Sequence, residues 1–204
     1  MKLYETPRTP NPRRVHIFMA EKNIDIPRVA INLATAEHKG DAFRKVTAVQ
    51  RVPALELDDG TVIAESVAIC RYLEELHPEP ALFGRDAKER ALVEMWNRHV
   101  EFYLAQPIFA AFRHINPAMA AMEQPQIAEW GEANKVKAVD FMRVLDQELA
   151  NRAFIAGDAF SIADITAICV VDFGKVAKIA PPDDLANFNR WRADVSARPS
   201  ASAT

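Results

Sequence analysis

The chain has 204 residues, of which 50% are hydrophobic and 26% charged, and its formal net charge is −3. This balance is typical of a globular protein with one large or two small domains, and it excludes a disordered chain or a disulfide scaffold. Because no segment is strongly basic, we expect no nucleic acid and no membrane surface among the partners.

Several features favour a cytoplasmic protein. The N-terminal residues 1–6 (MKLYET) lack the apolar core of a signal peptide, and no run of about 18 apolar residues predicts a membrane span. Cys70 and Cys169 each lie inside an apolar helical pattern without a CxxC partner, which is typical of buried free thiols.

The first third of the chain alternates strand-like and helix-like segments. Strands are predicted at residues 2–6, 28–33, 54–57 and 61–64. Asn11 stands directly before Pro12, which predicts a helix with Asn11 as its N-cap and Pro12 as its first residue. Residues 41–48 predict a short helix, and Ser66 is the predicted cap of a helix that ends at Leu76. The predicted order is therefore βαβ, α, ββ and α.

The rest of the chain, from residue 86 onward, predicts helices only. Apolar residues recur at helical spacing in two stripes, which are Leu92, Met95, Trp96, Val100, Tyr103 and Leu104, then Val136, Val139, Met142, Leu145 and Leu149. Ser161 followed by Asp164 resembles a capping box, and residues 185–195 predict a last helix. We expect an N-terminal domain at 1–77, a proline-containing linker at 78–85 and a helical domain at 86–204.

Four motifs resemble those of cytosolic glutathione transferases, in particular the bacterial, plant and fungal members that depend on a serine or a water. The motifs are residues 9–15 (TPNPRRV), 37–39 (EHK), 51–55 (RVPAL) and 65–69 (ESVAI). The resemblance covers essentially the whole chain. It implies an α/β thioredoxin-like N-terminal domain, an all-α C-terminal helical bundle domain, glutathione as cosubstrate, a small hydrophobic electrophile and a homodimer. We expect no metal, because no cluster of His, Cys and Asp residues has the spacing of metal ligands.

The resemblance assigns parts of glutathione to particular residues. It implies that the Val52 backbone, before a cis Pro53, pairs with the cysteinyl backbone of glutathione, and that Ser66 at a helix start holds the γ-glutamyl carboxylate. Glu65 meets the γ-glutamyl amine or orients the turn. Alternatively, Pro53 is a trans proline and Ser66 only a helix cap.

The resemblance also implies that basic residues hold the glycine carboxylate of glutathione. His38 and Lys39 resemble the residues that hold this group, and a solvated charged loop is the alternative. Arg51 departs from the glutamine that is common at its position, and either another carboxylate contact or a solvent-facing role suits it.

Three groups are candidates for activating the thiol. A free thiol has a pKa near 8.5, and lowering it to about 6.5 requires about 2.7 kcal/mol of preferential thiolate stabilisation. Thr9 matches the catalytic serine of plant-type relatives, Asn11 is a second donor, and His114 could instead hold an activating water. The alternative is that Thr9 is a turn residue, Asn11 a cap and His114 structural.

The sequence determines the electrophile pocket less well than the glutathione site. Tyr103, Phe109 and Phe112, together with His114, are candidates for it, with plain core packing as the alternative for each aromatic residue. No cysteine occupies the first-helix opening, which argues against thiol–disulfide exchange. The sequence predicts a glutathione transferase, and the alternatives are a glutathione-dependent isomerase or dehalogenase and a non-catalytic glutathione-binding relative.

Overall fold

The computed structural model describes all 204 residues. They form two compact units, one made of residues 1–82 and 199–204 and the other of residues 83–198. The chain passes between the units within the proline-containing stretch 78–85. No helix combines the length and the apolar character that crossing a membrane requires.

The first unit contains a four-stranded mixed sheet in the order β2-β1-β3-β4. Strand β1 is parallel to β2 and antiparallel to β3, which is antiparallel to β4. The strands are β1 (Lys2–Glu5), β2 (Arg28–Ala30), β3 (Ala54–Glu56) and β4 (Val62–Ala64). The predicted strand order along the chain is confirmed, but β2 is shorter than expected. The Asn32 side chain accepts from the backbone N–H groups of Ala34 and Thr35 and so turns the chain after β2.

Three α-helices accompany the sheet: α1 (Pro10–Glu21), α2 (Asp41–Arg44) and α3 (Ser66–Leu76). Both predicted caps are wrong. Helix α1 begins at Pro10 with Thr9 as its N-cap, because the fixed φ of proline suits a first helical position. In α3 the N-cap is Glu65, and Ser66 is the first helical residue.

The last residues of the chain pack against α1. Pro199–Ser202 form a 3-10 helix, and Arg13 Nη2 in α1 donates a hydrogen bond to the Ala201 carbonyl at 3.0 Å. The hydroxyl of Ser200, which is buried, donates to the Glu21 carboxylate near the other end of α1. This segment therefore supports the helix whose N-terminus carries Thr9 and Asn11.

The second unit is helical, as predicted. Its helices are α4 (Ala87–His99), α5 (Gln106–Ile115), α6 (Ala128–Leu149), α7 (Ile162–Gly174) and α8 (Ala186–Ser196), and the π-helical segment Val100–Ala105 joins α4 to α5. Helix α6 packs closely along α5 at Gly131, since a Cβ there would lie 2.5 Å from Ile115 Cγ1. A larger residue at this position would separate the two helices.

Helix α7 is the core of the second unit. The predicted capping box is confirmed, because Asp164 accepts from the backbone N–H and the hydroxyl of Ser161 at its start. The two predicted apolar stripes are only partly buried. Trp96 and Val100 are buried, whereas Met95 and Tyr103 are exposed. Met95 and Trp96 are adjacent, and adjacent helical residues point about 100° apart, so these two cannot share one face.

Candidate functional site

A buried arginine connects two of the motifs in the first unit. Arg14 is 3% exposed, and its Nη1 lies 3.2 Å from Asn11 Oδ1 and also donates to the Ser66 hydroxyl. Its Nε is buried without a hydrogen-bond partner. A buried guanidinium with an unused donor, beside the N-terminus of α3, favours the binding of an anion.

The turn before α3 is strained at Glu65. This residue has φ 69° and ψ 119°, a region that residues other than glycine rarely adopt. Its side chain is exposed, and the next residue, Ser66, is buried. Strain of this kind is often found where the backbone is held in position for a ligand.

The Val52–Pro53 bond is cis, as the resemblance implies. Pro53 is buried, and β3 begins directly after it at Ala54, which pairs with β1 and β4. No backbone hydrogen bond within the protein uses the Val52 N–H or C=O. This peptide group is therefore available to pair with an extended ligand backbone.

His38 lies within the electrostatic influence of two other basic side chains, one in its own loop before α2 and one in the loop before β3. Burial lowers the pKa of His38, and the positive charges of Lys39 and then Arg51 lower it further. His38 is 5% exposed, and the Nδ1 of its ring is buried without a hydrogen-bond partner. A neutral ring beside two cations suits a carboxylate, which would accept hydrogen bonds and balance the charge.

At the start of α1, the available hydrogen-bond donors belong to Asn11. The Thr9 hydroxyl donates to the Thr6 carbonyl at 2.7 Å, and Pro10 and Pro12 have no N–H. Asn11 Oδ1 accepts from Arg14, so its Nδ2 group points the other way with both protons unused. Asn11 is thus the better placed of the two predicted donors.

The second unit has an open cleft of about 920 Å3 between its π-helical segment, α5 and α6. Three of the four residues predicted for an electrophile pocket line it: Tyr103, Phe109 and His114. Phe112 does not line it; its ring packs against Phe173 with the ring centres 5.0 Å apart. The structure therefore brings together three of the four residues predicted for the pocket.

His114 has contacts on both sides of its ring. The Ile127 backbone N–H donates to Nδ1 at 3.1 Å, and Nε2 lies 3.7 Å from Glu123 Oε1. Gly131 allows α6 to approach this position, since a Cβ there would lie 3.3 Å from His114 Cβ. The ring orientation is therefore determined by the loop that precedes α6.

Comparison with known families now identifies the fold. The model for the glutathione S-transferase N-terminal domain matches residues 3–81, and that for the glutathione S-transferase C-terminal domain matches residues 109–199. The chain belongs to the glutathione S-transferase family. Both halves of the expected architecture, a thioredoxin-like domain and a helical domain, are confirmed.

Individual glutathione S-transferases are similar to this chain along almost its full length. It is 38% identical over 203 residues to glutathione S-transferase 2 of Saccharomyces cerevisiae, with 98% of this chain and 87% of the relative covered. The crystal structure of Gtt2 from Saccharomyces cerevisiae superposes with a TM-score of 0.93 at 38% identity, covering 98% of both chains. A glutathione S-transferase domain-containing protein of Marinobacter aquaeolei gives a TM-score of 0.94 at 39% identity, covering 98% and 99%.

One relative has another activity in its name. A maleylacetoacetate isomerase of Pseudomonas aeruginosa is 40% identical over 93 residues, which are 45% of this chain and 44% of the isomerase. This similarity extends over less than half of either protein. It is therefore weaker evidence than the full-length similarity to transferases.

Sequence reasoning missed several residues of this transferase. Arg14 lies three residues after Asn11, a spacing that brings helical side chains together, and this was the available signal. In the cleft, nothing local marked Glu123, Trp130, Lys137 and Phe141, which also line it. No group of three or more His, Cys, Asp or Glu side chains is arranged to hold a metal ion.

Proposed function

We propose that this glutathione S-transferase stabilises the thiolate of bound glutathione for attack on a small hydrophobic electrophile. The observation that carries the proposal is the buried Arg14, which contacts Asn11 and Ser66 and retains an unused donor at the N-terminus of α3. A buried cation needs an anionic partner to offset its desolvation. The γ-glutamyl carboxylate of glutathione is such a partner.

In this proposal, glutathione is bound along its whole length. Ser66 and Arg14 hold the γ-glutamyl carboxylate, and Glu65 receives the γ-glutamyl amine. The unpaired backbone of Val52 supports strand-like pairing with the cysteinyl backbone beside cis-Pro53. His38, Lys39 and Arg51 receive the glycine carboxylate, which the effect of the Lys39 and Arg51 charges on the pKa of His38 supports.

We assign thiolate stabilisation to Asn11 in preference to Thr9 and His114. The Asn11 amide has free N–H groups, whereas the Thr9 hydroxyl would have to leave the Thr6 carbonyl to donate to sulfur. His114 Nδ1 already accepts from Ile127, so the ring lacks the free lone pair that an activating base needs. A hydrogen bond to a charged group contributes about 1.5–3 kcal/mol, close to what the thiol requires.

We place the electrophile in the cleft of the helical unit, against Tyr103, Phe109 and His114. Phe112 acts through its packing on Phe173. The aromatic side chains of the cleft favour apolar, ring-containing compounds. Conjugation of such compounds in the cytoplasm would serve detoxification.

We also propose a homodimer. Val49 in the first unit and Leu92 and Met95 in the second are large apolar residues that are exposed in the single chain, and Val49 is 61% exposed. Burying them against a second copy would remove this surface from water. Sedimentation velocity tests this: the wild type should sediment as a dimer, and Met95→Glu should shift it towards monomer.

The test of the proposed function combines binding with turnover. Calorimetric titration should show glutathione binding to the wild type, and a panel of aryl and benzyl halides should be conjugated with one glutathione consumed per product. Ser66→Ala should weaken binding without unfolding the protein. Absence of glutathione binding to the folded wild type would contradict the proposal.

An isomerase is the second candidate, supported by the partial similarity to the maleylacetoacetate isomerase. A glutathione-dependent isomerisation adds the thiolate to a double bond and then eliminates it, so glutathione is not consumed. Measuring glutathione consumption beside substrate loss separates the two reactions. Binding without turnover of any substrate would instead favour a non-catalytic relative.

A further inference from the structure

The loops before α2 and β3 carry two positive charges without an anionic partner in the chain. Lys39 and Arg51 are both exposed, and neither forms an ion pair. The acidic residues beside Lys39 have other contacts. The Glu37 carboxylate accepts a backbone N–H of its own loop at 2.7 Å, and Asp41 Oδ1 lies 3.7 Å from Arg44 Nη1. Both cations are therefore available to a ligand.

The two cations act on one buried ring. Burial lowers the pKa of His38, and the charges of Lys39 and Arg51 lower it further. Since the interaction between charges weakens with distance, both cations must lie in the neighbourhood of this ring. A lowered pKa also keeps the ring neutral at pH 7. The cluster therefore presents two positive charges and a neutral hydrogen-bonding group.

Two polar groups in the same loops are buried without partners. His38 is 5% exposed, and its Nδ1 has no hydrogen-bond partner. Gln50, which directly precedes Arg51, has a buried Nε2 without a partner. Its φ of 53° lies in the left-handed region, which residues other than glycine rarely adopt. Buried polar groups without partners cost free energy, and a ligand that offers acceptor oxygens removes part of this cost.

The adjacent peptide group determines which part of a bound peptide reaches this cluster. The Val52 backbone is unpaired and pairs with the cysteinyl backbone in the proposed function, whereas the γ-glutamyl end lies at Ser66. The residue that follows the cysteine therefore meets Lys39 and Arg51. In glutathione that residue is glycine, which brings a single carboxylate. One negative charge then faces two positive charges.

We propose that this end of the site selects γ-glutamylcysteinyl peptides whose last residue carries a side-chain carboxylate, as glutamate does, with Arg51 as the specificity-determining residue. The proposal rests on the proposed function, because it assumes that the site binds the γ-glutamylcysteinyl part of glutathione. Lys39 receives the terminal carboxylate and Arg51 the side-chain carboxylate, so each cation has an anion of its own. With glutathione, the two cations share one carboxylate.

The exposure of Arg51 limits the size of the preference, because water and salt screen an exposed ion pair. The comparison is between γ-glutamylcysteinylglutamate and γ-glutamylcysteinylglutamine, whose last side chains have the same length and differ in charge. At low ionic strength the glutamate peptide should bind about 2- to 5-fold more tightly than the glutamine peptide. The difference should shrink at about 1 M salt.

Calorimetric titration with the S-methylated peptides tests this selection. Methylation removes the ionisable thiol, so Kd reports recognition and not thiolate stabilisation. Arg51→Gln should make the two Kd values equal, whereas Arg51→Lys keeps the charge and should retain the preference. Arg44→Gln is the matched control, because Arg44 already pairs with Asp41. Equal Kd values in the wild type, or a preference that survives Arg51→Gln, would overturn the proposal.

Gln50 has a test of its own, because its amide is assigned to the terminal carboxylate that all of these peptides share. Gln50→Met should weaken the binding of both S-methylated peptides by a similar factor and leave the ratio of their Kd values unchanged. The amide has no partner in the free protein, so the free energy of unfolding should not fall. A fall in stability with unchanged binding would overturn the assignment of Gln50 to the site.

The selection and the proposed function fail in different ways. If the wild type prefers the glutamate peptide but conjugates no electrophile with any of the free thiols, the proposed transferase mechanism fails and the selection by Arg51 is retained. If it conjugates electrophiles with glutathione but binds the glutamate and glutamine peptides equally, the selection fails and the proposed function is retained.

Discussion

Arg14 Nη1 lies 3.2 Å from Asn11 Oδ1, and this contact determines which end of the Asn11 amide is free. The oxygen faces the guanidinium, so the two N–H groups of Nδ2 remain available at the opening of α1. The same guanidinium donates to the Ser66 hydroxyl at the start of α3. One buried side chain thus links the proposed thiolate donor to the proposed carboxylate site.

The first prediction concerns Arg14. Arg14→Met keeps the apolar part of the buried side chain and removes the charge, so glutathione should bind about 10- to 150-fold more weakly, as expected for losing a charged hydrogen bond of about 1.5–3 kcal/mol. Calorimetric titration measures the change. Arg44→Met is the matched control, because Arg44 is exposed and pairs only with Asp41 on its own short helix. An unchanged Kd in a folded Arg14→Met protein would exclude Arg14 from the site.

The second prediction separates strain from charge at Glu65. Because its φ of 69° suits glycine, Glu65→Gly should raise the free energy of unfolding by about 1 kcal/mol while raising KM for glutathione. Glu65→Gln should raise KM without the gain in stability. Urea unfolding and steady-state kinetics on both variants test this, and a less stable glycine variant would show that the turn is not strained.

The third prediction is a pH dependence of stability. Burial, with a smaller contribution from the charge of Arg28, lowers the pKa of His16 to about 4 from its ordinary 6.5. Between these values the unfolded chain binds a proton that the folded protein does not, so stability falls as pH falls from 6.5 to 4. The shift corresponds to about 3 kcal/mol.

Glu5 acts in the opposite direction. Its carboxylate lies 2.5 Å from His16 Nε2, and burial raises the pKa of Glu5 above 4.5, so the folded protein binds a proton there before the unfolded chain does. Glu5→Gln removes this opposing effect, so stability should fall more steeply as the pH falls. His16→Gln should remove the fall in stability between pH 6.5 and 4. Urea unfolding at a series of pH values measures both, and parallel curves for all three proteins would contradict the assignment.

The fourth prediction concerns Asp164, which holds the helical unit together. Its carboxylate accepts from the backbone N–H of Ile155, from both donors of Ser161 and from Trp191 Nε1. Asp164→Ala leaves these donors buried and unpaired, and should cost more than about 3 kcal/mol of unfolding free energy. Ser161→Ala, which removes only the hydroxyl, should cost less. Equal losses in urea unfolding would show that the other donors find new partners.

Local sequence patterns predicted the parts of the fold that depend on neighbouring residues. The order of strands and helices, the capping box of Ser161 and Asp164, and the cis bond at Pro53 all follow from short motifs or from the resemblance that they carry. The missed features depend on distant residues. Arg14 and Ser66 are 52 positions apart, and no periodicity brings them together before the sheet forms.

The cleft was harder to predict for the same reason. Its walls come from the π-helical segment, α5 and α6, and from the loop that contains Glu123. Aromatic residues near position 110 looked equivalent in the sequence, yet Phe109 lines the cleft and Phe112 does not. Gly131 allows α6 to approach α5 closely at Ile115, and its importance becomes visible only when the two helices are placed together.

The pKa of the bound glutathione thiol, followed by the absorbance of the thiolate as pH is varied, tests the central claim most directly. The wild type should give a pKa below the value of about 8.5 of the free thiol, and Asn11→Ala should raise it by about 1–2 units, the equivalent of one charged hydrogen bond. Thr9→Val should leave it unchanged. If Asn11→Ala keeps the wild-type pKa while Thr9→Val or His114→Leu raises it, the assignment of the thiolate to Asn11 is wrong.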